Sequence, residues 1–146
     1  MNVSDSERVA SQLEAEGYEL TDSEESADVV LFNTCSVREK AEHKLYTRVG
    51  QIAHSDNPNR TVGVMGCVAQ LEGEKLFEKG RGIDFVVGTK AVGRIPTAIE
   101  QSQTTKNFLD LGEREFDYDW STKSSQRHSK HVAFVPIIEG CNKFCT

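Results

Sequence analysis

One unit, used twice, constrains this chain most: a compact apolar run ends in a cysteine and passes at once into a helical pattern. "ADVVLFNTC" (Ala27–Cys35) carries its apolar residues as a block, Val29–Phe32, and "TVGVMGC" (Thr61–Cys67) repeats the design. Apolar blocks without alternation suit strands buried on both faces, as in a parallel sheet with helices on each side. "SVREKAEHKLYTRVGQIA" (Ser36–Ala53) follows the first run, with Val37, Ala41, Leu45, Val49 and Ile52 at helical spacing. Its Ser36 and Glu39 fit a capping box. Ala69–Lys79, stopped by Gly80, follows the second run as a helix. "IDFVVG" (Ile83–Gly88) predicts a third strand, and Arg94–Gln101 a short helix with Pro96 in its first turn. Strand alternating with helix predicts an α/β domain on a mostly parallel, flavodoxin- or Rossmann-like sheet of at least three strands.

The ends of the chain fit this plan less well. Met1–Gly17 reads as a helix, with a capping box from Ser4 to Glu7, an apolar face of Val9, Ala10 and Leu13, and Gly17 closing it. A helix with no strand before it implies that the first strand of the sheet is missing. The α/β domain is therefore assigned to residues 1–101. Residues 102–131 turn polar and charged with weak periodicity, the pattern of a linker, in which "FDYDW" (Phe116–Trp120) is at most a short docked strand. "HVAFVPII" (His131–Ile138) then starts a new apolar strand, with Pro136 marking an edge or an end. Residues 132–146 are read as the start of a second, truncated domain.

Length and charge bound what such a chain does. Its 146 residues hold one ordinary domain and a little more, and 37% hydrophobic residues suffice for a core. A formal charge of −6 argues against gripping a nucleic acid by bulk electrostatics. No apolar run approaches the ~18 residues of a membrane span, and no charged-then-apolar leader opens the chain, so the expected setting is cytoplasmic. The four cysteines, at 35, 67, 141 and 145, are then expected to be reduced. Separated thiols in that setting are metal ligands, reactive groups or plain core residues.

Cys35 and Cys67 each sit between a strand and a helix, and in a parallel sheet all such junctions share one carboxyl edge, where α/β domains place their ligand sites. The helix opening at Ser36 turns its N–H groups toward Cys35, the polarity that suits a metal-binding sulfur. Two thiols do not close a four-coordinate site, however, and both positions also suit small buried hydrophobes. Cys141 and Cys145, in "GCNKFC", form a C-x3-C pair that becomes informative only with a third cysteine nearby. Lys40, Lys44 and Arg48 line one helix face, read as solvated and balanced by Glu39 and Glu42. His128 and His131 are assigned no ligand role.

Taken in order, "MNVSDSE", "NTCSVREKAEHK", "GVMGCVAQ" and "FVPIIEGCNKFCT" resemble consecutive motifs of the radical S-adenosylmethionine methylthiotransferases. The resemblance runs from the first residue to the last and is weakest over Ser102–His131. "NTCSVREKAE" resembles the tRNA-modifying, MiaB-like branch more than the ribosomal-protein branch. The resemblance implies a three-part enzyme: an α/β domain, a radical-SAM barrel and an RNA-binding TRAM domain. It implies that Cys35 and Cys67 are two of three ligands of an auxiliary [4Fe–4S] cluster, the remaining one lying two positions ahead of Met1. Cys141 and Cys145 would likewise be the first two ligands of the barrel's C-x3-C-x2-C cluster. The implied reaction uses S-adenosylmethionine to place a methylthio group on C2 of an isopentenylated adenosine. Its partners would be the tRNA anticodon stem-loop and a reductant such as flavodoxin or ferredoxin, the enzyme being a monomer. A stretch with two ligands at each site is expected to be inactive by itself. A non-catalytic flavodoxin-like module with core cysteines is the alternative from another class.

Overall fold

Four strands stand side by side in the order in which the chain makes them. They belong to a computed structural model that describes residues 2–35, 39–53, 57, 59–112 and 131–132. The strands are β1 (Val29–Thr34), β2 (Thr61–Gly66), β3 (Phe85–Val87) and β4 (Phe108–Asp110), and every neighbouring pair is parallel. Helix α1 (Asn2–Ala15) precedes β1, α2 (Glu39–Ala53) joins β1 to β2, and α3 (Cys67–Glu72) with α4 (Lys75–Lys79) joins β2 to β3. A 3-10 turn over Thr89–Arg94 runs into α5 (Ile95–Thr104), which returns the chain to β4.

Successive strand residues face opposite ways, so each strand feeds two cores. Val30, Phe32, Val62, Val64, Val86 and Leu109 pack on one side with Leu45, Val49 and Ile52 of α2, Val68 of α3 and Leu76 of α4. Val29, Leu31, Met65, Phe85, Val87 and Phe108 pack on the other with Val9 and Leu13 of α1 and Ile95, Ala98 and Ile99 of α5. The result is a helix–sheet–helix sandwich, the α/β class expected from strand–helix alternation. β2 and β3 are central and buried almost throughout, whereas β1 and β4, at the edges, are mostly half-buried.

Gly63 shows how tight the second core is. It pairs in register with Phe85, and a Cβ on it would stand 2.1 Å from that ring's Cζ. The ring is fully buried and has nowhere to go. Gly63→Ala should therefore lower stability by about 1–3 kcal/mol, the usual cost of overpacking. A denaturant midpoint equal to that of the parent would contradict this.

Several sequence expectations need correction. Ser4 lies inside α1, which already runs from Asn2, so it cannot have the non-helical backbone of an N-cap. The single helix expected over Ala69–Lys79 starts earlier, at Cys67, and is broken in two at Gly73, whose φ of 51° is left-handed. Most consequentially, regular structure does not stop at residue 101. α5 continues to Thr104, and β4 forms inside the stretch read as linker. Ser36–Arg38, Phe116–Trp120 and all but the first two residues of the strand expected over His131–Ile138 lie outside the described residues. His131 and Val132 themselves are exposed and not in a strand. Among the described residues no helix is long and apolar enough to cross a membrane.

β4 is fastened at its end by an ion pair. Arg94 donates from Nε to Asp110 Oδ2 at 2.6 Å and from Nη2 to Oδ1 at 2.7 Å. The guanidinium bond holds the Asp110 carboxyl below the usual aspartate range, helped by a bond from the Gly112 N–H. A lowered folded-state pKa adds stability above the unfolded value, and that increment disappears as pH falls through the folded one. Because the pair is partly exposed, it is worth under about 1 kcal/mol. The expected result is a denaturation midpoint that declines from about pH 5 downward, with a shallower decline in Arg94→Ala. Arg94→Lys should not restore it, because an ammonium cannot reproduce the two-pronged contact.

Candidate metal centre

The parallel register of β1 and β2 decides where the first two cysteines go. Its last pair is Thr34 with Gly66, so Cys35 and Cys67 each come directly after the end of one of two neighbouring strands. Both thus lie on the carboxyl edge of the sheet, as the strand–helix junctions predict. Cys35 leaves β1 toward α2, and Cys67 is the first residue of α3. Each is half-buried and neither forms a disulfide.

Three contacts lock this edge. Thr34, buried, donates from Oγ1 to the Met65 carbonyl at 2.8 Å, bridging the two strand ends. Gly66 turns the chain from β2 into α3 with φ 96° and ψ −157°. A Cβ there would meet the Thr34 carbonyl oxygen at 2.6 Å and Asn33 Oδ1 at 2.9 Å. Asn33 in turn donates from Nδ2 to Ser6 Oγ at 3.0 Å, joining the edge to α1. Neither the Thr34 bridge nor the Asn33–Ser6 contact had a sequence signal, since the partners are 31 and 27 residues apart.

The edge offers two soft sulfur ligands, a donor type that suits iron–sulfur clusters and zinc. Among the described residues no group of three His, Cys, Asp or Glu is placed to hold a metal, so the pair lacks a third ligand there. Cys141 and Cys145 lie outside the described residues. A cavity of about 770 Å³, bounded by α1, the loop that follows it and β1, adjoins this edge through Ser6, Asn33 and Met65, although neither Cys35 nor Cys67 lines it. The basic stripe on α2 is engaged locally at one position, where Arg48 pairs with Glu24 and donates to Gln51 at 3.0 Å. Lys44 is exposed, and the Lys40 side chain is outside the described set.

Comparison with known proteins adds to this geometry. The chain is 44% identical over its whole length to a tRNA-2-methylthio-N(6)-dimethylallyladenosine synthase of Thermosipho melanesiensis, covering 33% of that protein. Proteins with the same name match over the whole chain from Fervidobacterium nodosum, at 42% identity, and Thermosipho africanus, at 45%. Each is likewise covered over 33% of its length, so the chain spans about a third of these relatives. The model of the Uncharacterized protein family UPF0004 matches residues 1–88, more than half of the chain and both Cys35 and Cys67. By that match, the chain belongs to family UPF0004.

Proposed function

We propose that this chain is the amino-terminal part of a tRNA methylthiotransferase of the radical S-adenosylmethionine class, acting on C2 of an isopentenylated adenosine beside the anticodon. The observation that carries the reading is the placement of Cys35 and Cys67 directly after two paired strand ends at one sheet edge, within a chain similar throughout to synthases of that name. In this reading the two thiols hold an auxiliary [4Fe–4S] cluster, and Cys141 and Cys145 contribute to the cluster that binds S-adenosylmethionine. The two clusters would supply the sulfur to be transferred and the reductive cleavage of S-adenosylmethionine, with electrons from a flavodoxin or ferredoxin.

A cube held by protein through three irons needs one more ligand than this edge provides. The bond from Asn33 to Ser6 supports a source for it, because it brings the first turns of α1 to the cysteine edge. Asn2 stands four residues ahead of Ser6, about 6 Å along the helix axis. A further ligand would then come from the amino-terminal side of α1. The work of these residues is to hold two sulfurs at fixed separation. With a net charge of −6, RNA binding falls largely to other parts of a cytoplasmic, monomeric enzyme.

The test is anaerobic reconstitution of the full-length protein with iron and sulfide. Two cubes per chain are expected, and Cys35→Ala should remove the iron of one while sparing the other. Iron content that does not change on this substitution would sink the reading and favour cysteines that only pack.

A further inference from the structure

We infer that Asn33 is a positioning residue for the cysteine pair, latched in place by Ser6; the inference rests on the reading of Cys35 and Cys67 as cluster ligands. Asn33 touches both halves of the site. Along β1 it stands two residues before Cys35, and its Oδ1 lies directly over Gly66, the residue before Cys67, where a Cβ would be 2.9 Å away. Its Nδ2 donates to Ser6 Oγ at 3.0 Å, so the carboxamide cannot swing without leaving α1. Three elements thus meet at one side chain: α1, the end of β1 and the turn from β2 into α3. A carboxamide is flat and short enough to lie on a glycine, and it donates on one side while its oxygen stays on the other. Fixing both sulfur-bearing turns against one rigid group sets their separation, which a cluster of fixed size needs and a packed core does not.

Groups that orient metal ligands typically change metal affinity by about 10- to 100-fold when removed. In the reconstituted full-length protein, Asn33→Ala and Ser6→Ala should each release the iron of this site to a chelator about 10- to 100-fold more readily than the parent. The second cluster serves as the internal reference. Ser6→Thr keeps the hydroxyl and should restore retention. Ile99→Val, which removes a buried methyl group from the α5 core, controls for mere loss of stability. The electron paramagnetic resonance signal of the reduced site should change in Asn33→Ala and stay as in the parent in Ile99→Val. Parent-like iron retention and spectrum in Asn33→Ala, or equal iron loss in Ile99→Val, would overturn the latch. A Cys35→Ala protein with unchanged iron would instead overturn the cluster assignment beneath it.

Discussion

Gly66→Ala should unfold the cysteine edge, lowering stability by about 3 kcal/mol or more. Two independent costs meet at this residue. Its backbone, at φ 96° and ψ −157°, lies in a region open essentially only to glycine. The added methyl would also sit 2.6 Å from the Thr34 carbonyl oxygen, a backbone atom already held by the β1–β2 ladder. A flexible side chain would yield, but a carbonyl in a parallel ladder cannot move without breaking its pairing. For a domain of this size the change corresponds to a fall in Tm of more than about 12 °C. Because Cys67 is the next residue, relaxation of the strain displaces its sulfur relative to Cys35. Thermal melts of parent and variant check the first effect, and iron content after reconstitution checks the second. A variant that melts with the parent would mean that the turn finds another path, and the close approach of the two strand ends would lose its significance.

What the sequence made legible follows from the kind of signal each element carries. β1 and β2 announce themselves through compact apolar blocks, Val29–Phe32 and Val62–Met65, and parallel pairing then forces the cysteines after them to one edge. α2 is equally plain, because its apolar positions recur over four turns. The failures are local or long-range. Gly73 interrupts a helical pattern without disturbing the apolar spacing on either side, so one helix was expected where α3 and α4 exist. β4 has three residues, too few for any periodicity to stand out from the polar stretch around it. The 3-10 turn at Thr89–Arg94 carried no expectation, because a single short turn leaves no repeat to read. Asn33 and Ser6 meet only because α1 folds back across β1, a consequence of tertiary packing that no spacing rule contains.

β4 also yields the second large effect. A chain cut after Gly112 should keep a cooperative fold, whereas one cut after Thr104 should lose about 4 kcal/mol relative to it. Phe108 and Leu109 are half-buried, one in each core, and together contribute about 2–3 kcal/mol. Backbone bonds of the β3–β4 ladder go with them, among them those from the Phe108 N–H to the Asp84 carbonyl at 3.0 Å and from the Gly88 N–H to the Asp110 carbonyl at 2.8 Å. Net, each is worth about 1 kcal/mol. The Arg94–Asp110 pair is lost as well, and β3, with Phe85, Val86 and Val87 all fully buried, becomes an exposed edge. Against a total stability of about 5–15 kcal/mol, the shorter piece is left marginal and prone to pairing through that edge. Urea titrations followed by far-ultraviolet circular dichroism separate the outcomes. Coincident curves would mean that β4 is an ornament on a sheet complete at three strands. A large gap would make residues 105–112 part of the domain that holds the cysteines, and would move its boundary past the point where the sequence turns polar.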